Sequence, residues 1–314
     1  MFHFILRRVL QMMLILFLVS SAVFFMFKLV PGDVAAVRLG IEQTPEALAA
    51  LRAQLGLDRP LIVQYLTWLG GLVRGDLGTS YVDGAPVFGI VASRFFITLE
   101  LVLVITVLSA LISIPVAVVA AQRKGTLVDS GIRTLSMVGY SLPTYWWAIL
   151  LMLLFSVALG WLPAGGYVYP NRDFGRHLLH LILPTLAMVL ILVAAQVRFL
   201  RASILDIIQL DYVRTARAKG LSSRRVLYKH VLRNSLAAFI TVVGLNFATL
   251  IGGMVIIEQI FTWPGLGWLI ITSILNRDFP VVQGAVLFVA AIFVSVNLAV
   301  DILYAALDPR IRYE

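Results

Sequence analysis

The 314-residue sequence contains no cysteine. Disulfides, thiolate nucleophiles and cysteine-bound metals are excluded, and no redox compartment can be inferred. Charge is scarce as well: 13% of residues are Asp, Glu, Lys or Arg, against ~25% in ordinary soluble domains. A soluble fold of this length needs polar residues to cover its surface. With 61% apolar residues and a mean hydropathy of +0.96, this chain lacks them. A soluble enzyme is thereby excluded, as are disordered and fibrous classes. Histidine is limited to His3, His177, His180 and His230. His177 and His180 share a helix face, but two histidines without carboxylates make an incomplete metal site, so both read as interfacial residues. No lysine follows a glycine, which rules out a P-loop, and H-E-x-x-H and G-x-S-x-G are also missing. These absences describe a non-catalytic chain with no metal and no cofactor of its own.

Long apolar runs are abundant. Six are free of charge: Val9 to Phe27, Leu101 to Ala121, Thr134 to about Leu159, Leu178 to Val197, Asn234 to Ile257 and Phe279 to Val300. Each can cross a hydrocarbon core of ~30 Å at 1.5 Å per residue. The predicted fold class is therefore an all-α integral membrane protein with six transmembrane helices, over about 9–29, 99–121, 134–159, 178–199, 235–257 and 279–302. This divides the chain into an N-terminal span (1–30), a long loop (31–96), a membrane core (97–304) and a tail (305–314). Pro115, Pro143 and Pro184 fall inside three of the runs, where neighbouring helices can satisfy the carbonyls that proline frees. The first run is longer than a signal-peptide core and leads into Lys28 and Pro31 rather than a cleavage site, so it reads as a retained span.

The net charge of +9 is unevenly distributed. Arg7 and Arg8, then Arg123, Lys124 and Arg133, nine residues between Arg198 and Arg233, and Arg310 and Arg312 fall on one side, sixteen in all. The short segments opposite hold Arg172, Arg176, Arg277 and, at a span end, Lys28. The positive-inside rule places both termini in the cytosol. The outer loop 31–96 reads as a small folded cap. Thr44 is a good N-cap before Pro45, Leu48, Leu51 and Leu55 follow at helical spacing, and a second apolar stretch contains Tyr65 and Trp68. The segment from Phe261 to Asn276 reads as a turn and a short interfacial helix. Gly252-Gly253 is expected to allow close helix packing. Lys28, Glu100, Glu258 and Asp301 sit at span ends, where side chains can reach the interface. With no acid at mid-membrane depth a proton relay is disfavoured, and the energy source is expected on another polypeptide.

The most unusual segment is 206–234. Tyr212 to Lys219 is competent to form a helix, Gly220 suits a left-handed turn, and Ser222 or Ser223 can cap a second helix. The result is a basic helix–turn–helix with apolar residues. Read from composition alone, it fits a loop that binds anionic lipid. Recognition of nucleic acid is disfavoured because two spans flank the unit closely and leave little freedom to enter a groove.

Here the chain resembles a known family, the membrane-spanning subunits of type I ABC importers. Their E-A-A-x-x-x-G-x(9)-I-x-L-P loop aligns with Gly220 on its glycine, Ala216 on its second alanine and Leu232 on its leucine, while Arg214, Thr215, His230 and Arg233 depart from it. The remainder is similar to the B-type permease of dipeptide, oligopeptide and nickel importers. The similar stretches are Pro31-Gly32-Asp33, Leu55-Gly56-Leu57-Asp58-Arg59-Pro60, Gln64-Tyr65, Gly75-Asp76-Leu77-Gly78, Ser141-Leu142-Pro143, Glu258-Gln259-Ile260-Phe261, Trp263-Pro264-Gly265-Leu266-Gly267, Arg277-Asp278-Phe279-Pro280 and the ending Leu307-Asp308-Pro309-Arg310-Ile311-Arg312. That subgroup carries Y-V-R-T-A-R-A-K-G at the loop, as this chain does.

The resemblance implies a permease subunit in the bacterial inner membrane. A second related permease would complete a heterodimeric pore, two cytosolic ABC ATPases would hold ATP and Mg, and an extracytoplasmic solute-binding protein would deliver cargo. It implies that Tyr212, Arg214, Thr215, Ala216, Arg217, Ala218, Lys219, Gly220, Leu221 and Ser222 form a coupling element docked on an ATPase. Tyr140, Ser141, Pro143, Thr144 and Tyr145 are pore-lining candidates, although packing residues would look the same. Asp76, Gly78, Trp263 and Gly265 are candidates for contact with the binding protein, or else cap the pore. Short peptides are the expected cargo, with nickel chelates, opines or glutathione as alternatives. A self-contained channel, a secondary carrier or a membrane scaffold are the rival classes.

Overall fold

A computed structural model describes residues 2–29, 35, 39, 44–54 and 56–307, with side chains over 6–302 of these. The Pro31-Gly32-Asp33 stretch, Leu55 and the ending 308–312 lie outside the described residues. Twelve helices run in order among those described. They are α1 Phe2–Leu29, α2 Pro45–Gln54, α3 Leu61–Val73, α4 Val87–Gln122, α5 Leu127–Ser141, α6 Thr144–Ala158, α7 Phe174–Ile207, α8 Asp211–Ala218, α9 Ser223–Gly253, α10 Val255–Ile260, α11 Leu266–Leu275 and α12 Phe279–Leu307. The β structure among the described residues is one isolated bridge, Thr79 with Pro86.

Five helices are long and apolar enough to span a membrane: Leu6–Leu29 within α1, then α4, α7 and α9, and Phe279–Ile302 within α12. The chain is an all-α, multi-pass membrane protein. The remaining expected span, 134–159, is not one straight helix. It divides into α5 and α6, which meet at 97°. Pro143 is the cause. It disfavours helical geometry in the residue before it, and Leu142 is extended (φ −93°, ψ 139°). Pro143 also has no N–H to give to the carbonyl of Gly139, four residues back. The Trp147 indole donates to that carbonyl instead, at 3.1 Å. Pro115 and Pro184, by contrast, stay inside the continuous helices α4 and α7.

The helices fall into two units, residues 2–98 with 264–294, and residues 99–263 with 295 onward. In the first, Phe24 on α1 packs edge-on to Tyr65 and tilted against Trp68 on α3, with centroids 5.3 Å away in each case. Thr44 caps α2 as expected, its hydroxyl accepting from the amide of Ala47 at 3.2 Å. Asp278 is buried and accepts from the Ser80 hydroxyl and the Tyr81 amide, at 2.5 and 2.9 Å. The Leu266 amide at the start of α11 donates to Thr98 Oγ1 at 2.8 Å. A buried cluster of Val87, Val91, Leu266, Leu269, Val281 and Ala285 lies between these ties. The Phe261–Asn276 reading thus holds: a turn, then a short helix.

In the second unit α4 and α7 share a buried polar link. Ser113 donates to Gln196 Oε1 at 2.7 Å, and Gln196 Nε2 donates to Ser109 at 3.3 Å. Such bonds hold helices together where a hydrophobic drive between them is missing. Close packing of α9 on α12 occurs at Gly244, where an added Cβ would lie 2.6 Å from Val300. Gly253 has nothing within 4 Å of such an atom.

The connection from α6 to α7 is pinned along its length. His177 is buried rather than interfacial. Its Nδ1 donates to the Val168 carbonyl at 2.7 Å, and its Nε2 lies 2.7 Å from Glu100 Oε1. Tyr167 donates to the other Glu100 oxygen at 3.0 Å. Burial, and after it the Glu100 carboxylate, push the Tyr167 phenol well above its ordinary value, so it remains a donor. Its ring meets Trp263 edge-on at 4.7 Å. Glu100 therefore serves as a bridge, not as a side chain reaching for an interface. Glu258 is likewise fully buried. Beyond Tyr167, the Gly166 amide donates to the Phe261 carbonyl at 2.7 Å. A Cβ at Gly165 would sit 2.6 Å from that same oxygen, a backbone atom that cannot rotate aside. Gly165→Ala should cost about 1–3 kcal/mol through overpacking. It should show as a lower thermal midpoint in detergent, with this connection the first segment to lose protease resistance.

Candidate functional site

The basic segment folds as two helices around a glycine. α8 ends in a Schellman arrangement. The Gly220 amide donates to the Arg217 carbonyl at 2.9 Å, the Leu221 amide to the Ala216 carbonyl at 3.3 Å, and Gly220 has φ +79°. Leu221 then packs against the buried cluster below. Ser222 occupies the N-cap position of α9, but its side chain makes no capping bond; its carbonyl accepts from the Val226 amide at 3.0 Å. Over Val226–Leu232 the helix widens into a π-helical turn, a local form often found at functional sites. The widening presents Val226, Leu227, Val231 and Leu232 together to the interior.

α8 has a sharply divided surface. Val213 and Ala216, three residues apart, are buried. They join a cluster with Ala117 and Val118 of α4, Leu200 and Ile204 of α7, and Val226, Val231 and Phe239 of α9. Tyr212, Arg214, Thr215, Arg217, Ala218, Lys219 and Gly220 are exposed. Asn234 Nδ2 donates to the Tyr212 hydroxyl at 2.8 Å and to the His230 carbonyl at 2.9 Å, tying α8 to α9. Arg214 meets Asp211 at 3.4 Å, an exposed pair of small energetic value. The arrangement is a short helix clamped on its apolar side, with a cationic face left open.

Its mounting includes residues that sequence reasoning missed. Arg201 on α7 grips the buried Asp129 of α5 in a two-pronged ion pair, Nε and Nη2 each 2.7 Å from a carboxylate oxygen. The Gly125 amide donates to the same carboxylate at 3.0 Å. Two-pronged arginine–carboxylate pairs fix orientation as well as distance. Asp129 stands in the first turn of α5 and Arg201 in the last two turns of α7, which leads into α8.

The other candidates separate by exposure. Tyr140, Ser141, Pro143 and Tyr145 are exposed at the α5–α6 break, and Thr144 is half-buried. Arg198 on α7 lies over the Tyr140 ring, 4.6 Å from its centroid. Asp76 and Gly78 are exposed, with the Asp76 carboxylate accepting from the Gly78 amide at 2.8 Å. Trp263 and Gly265 are buried. A surface contact through those two positions therefore fails, because the indole is spent on the interior against Tyr167. Among the described residues no cluster of His, Asp or Glu has the makings of a metal site.

The chain is thus an all-α, multi-span membrane protein that carries a divided basic helix–glycine–helix. Residues 113–313 match the family of binding-protein-dependent transport system inner membrane components, and residues 1–102 match that family's N-terminal region. The chain belongs to this family and is a non-catalytic membrane subunit. Among its relatives, a putative peptide transport system permease of Brucella abortus (strain 2308) is 42% identical over 311 residues, covering 99% of both chains. The oligopeptide transport system permease AppB of Bacillus subtilis is also 42% identical, over 313 residues and 99% of both. The glutathione transport system permease GsiC of Salmonella choleraesuis is 40% identical over the whole of both chains.

Proposed function

We propose that this chain forms half of the translocation pore of an ATP-driven importer for short peptides, in the bacterial cytoplasmic membrane with both termini in the cytosol. A second, related permease subunit completes the pore as a heterodimer. Two cytosolic ABC ATPases hold ATP and Mg, and a solute-binding protein delivers cargo from outside. The observation that carries this reading is the α8–Gly220–α9 surface. A helix fixed by Val213 and Ala216, closed by a glycine turn and backed by the Asp129–Arg201 pair moves as one piece with α7 and α9. Its exposed residues, Tyr212, Arg214, Thr215, Arg217, Ala218, Lys219, Gly220 and Ser222, are the face on which an ATPase docks, while Ala216 is buried beneath the helix and Leu221 is half-buried at the turn. We assign residues 97–304 to the pore-forming core, and Tyr140, Ser141, Pro143, Thr144 and Tyr145 to the substrate path. Asp76 and Gly78 receive the binding protein. The peptide cargo is supported by the relatives named as peptide permeases, and the cytosolic ends by the sixteen-to-four basic bias.

The reading is tested by deleting the gene and following uptake of labelled dipeptides, oligopeptides and glutathione. Peptide uptake should fall to background and return with the wild-type gene, but not with that gene when the partner ATPases are absent. Unchanged peptide uptake with loss of glutathione uptake would replace the cargo while leaving the machinery. Full uptake without the ATPases would refute the machinery itself.

A further inference from the structure

Where α1 ends, the unit formed by residues 2–98 and 264–294 holds a cavity of about 360 Å³. Its walls include Phe24, Trp68 and Phe279 on the apolar side and Lys28, Arg59 and Gln64 on the polar side. The polar side is organised. Gln64 Nε2 donates to the carbonyls of Leu57 and Arg59, at 3.1 and 2.8 Å, which fixes the amide. Its Oε1 accepts from Lys28 Nζ at 2.6 Å, and the ammonium lies 5.6 Å from the Phe24 ring centroid. Lys28 is thus held at the rim by a neutral amide and an aromatic face. Among the described residues Arg59, which is exposed, meets no carboxylate and no acidic side chain lines the cavity. Two cations on an aromatic-walled recess, with no acidic partner among the described residues, are the complement of a phosphate group.

The neighbourhood indicates which phosphate. Lys28 closes the apolar run of α1, so the cavity lies at the level where hydrocarbon gives way to headgroups. Beside it Phe25, Met26 and Leu29 are exposed, leaving an apolar track down α1 for acyl chains. A cavity of this volume falls within the range of small-molecule sites, large enough for a glycerophosphate headgroup. We propose that this recess binds the phosphate of an anionic phospholipid in the leaflet at the C-terminal end of α1, with Lys28 and Arg59 as its cationic ligands and Gln64 holding Lys28 in place. The site is independent of the cargo and of the coupling surface, so transport need not be measured to test it.

The intact importer complex, purified and delipidated in detergent, is exposed to phosphatidylglycerol, to phosphatidylcholine and, separately, to glycerol 3-phosphate, and bound lipid is counted by native mass spectrometry. Wild-type complex should retain phosphatidylglycerol over phosphatidylcholine. Arg59→Ala should weaken that preference about fivefold, the effect of one cation at a membrane surface, and Lys28→Ala with Arg59→Ala should abolish it. Arg74→Ala, an exposed cation outside the cavity, should leave it intact. Arg59→Ala stays informative if loss of Lys28 harms folding, because the Arg59 side chain carries no structural bond among the described residues. Equal retention of the two lipids, or a preference unchanged in Arg59→Ala, would overturn the site. Binding of glycerol 3-phosphate with no retained phospholipid would overturn the lipid as its ligand.

Discussion

Gly220→Val is expected to leave the protein in the membrane but to reduce substrate-stimulated ATP hydrolysis and uptake of the reconstituted complex by about tenfold or more. The reason is conformational. Gly220 has φ +79° and closes the Schellman turn between α8 and α9. A β-branched residue there is strained by roughly 1–3 kcal/mol, and the turn relieves that strain by giving up the bonds to Arg217 and Ala216. An added Cβ meets nothing within 4 Å, so crowding inside the subunit does not contribute. The cost falls on the angle between α8 and α9, the property a lever must keep. Gly220→Asn is the control. Asparagine enters the left-handed region several times more readily than most residues, so this variant should keep most of the activity although its side chain occupies the same open space. A similar loss in both variants would shift the explanation from backbone geometry to blocked contact with the partner.

Val213→Asp should have an effect as large by a different route. Val213 is fully buried beneath α8, among side chains of α4, α7 and α9. Removing its apolar contact costs about 1.5–3 kcal/mol, and a carboxyl group buried without a partner, even once it has taken up a proton, adds roughly 2–7 kcal/mol before relaxation. An eight-residue helix held by two buried side chains cannot absorb that sum, so α8 should detach while the long apolar helices persist. Limited proteolysis should cut at the arginines of 211–225 in this variant and spare them in wild type, with uptake lost. Thr215→Asp adds the same charge to the exposed side of the same helix. It should leave the protease pattern unchanged, and any loss of coupling in it would report the docking face alone.

The parts of this structure that were legible in the sequence are those set by local pattern. Charge-free runs marked α1, α4, α7, α9 and α12 because a span must satisfy its own backbone. Thr44-Pro45 marked α2, and Lys219-Gly220-Leu221 marked the end of α8 through the turn chemistry of glycine. The break at Pro143 was not legible, since apolar residues continue on both sides and a kinked helix and a broken one share one hydropathy pattern. What separated them was a long-range compensation, the Trp147 indole taking the Gly139 carbonyl. Charged pairs escaped for a similar reason. Asp129 and Arg201 are 72 residues apart, and nothing in either local sequence announces the other. Glu100 and Glu258 read as interfacial because span ends are where charge is cheapest, yet Glu100 holds His177 and Tyr167, and Glu258 is enclosed. Trp263 sat in a glycine-rich turn that looked like a docking loop, and its ring proved to be core.

The central claim, that the open face of α8 is where an ATPase docks, is tested most directly by chemistry the sequence makes simple. The chain has no cysteine, so Ala218→Cys introduces a single thiol on the exposed side of α8. In the assembled importer a short thiol-to-amine cross-linker should join this subunit to an ATPase subunit in high yield, with the yield changing when ATP is added. In sealed right-side-out vesicles an impermeant maleimide should leave the same thiol unlabelled. A thiol that labels from outside, or one that cross-links to no ATPase in a complex competent for hydrolysis, would contradict the account.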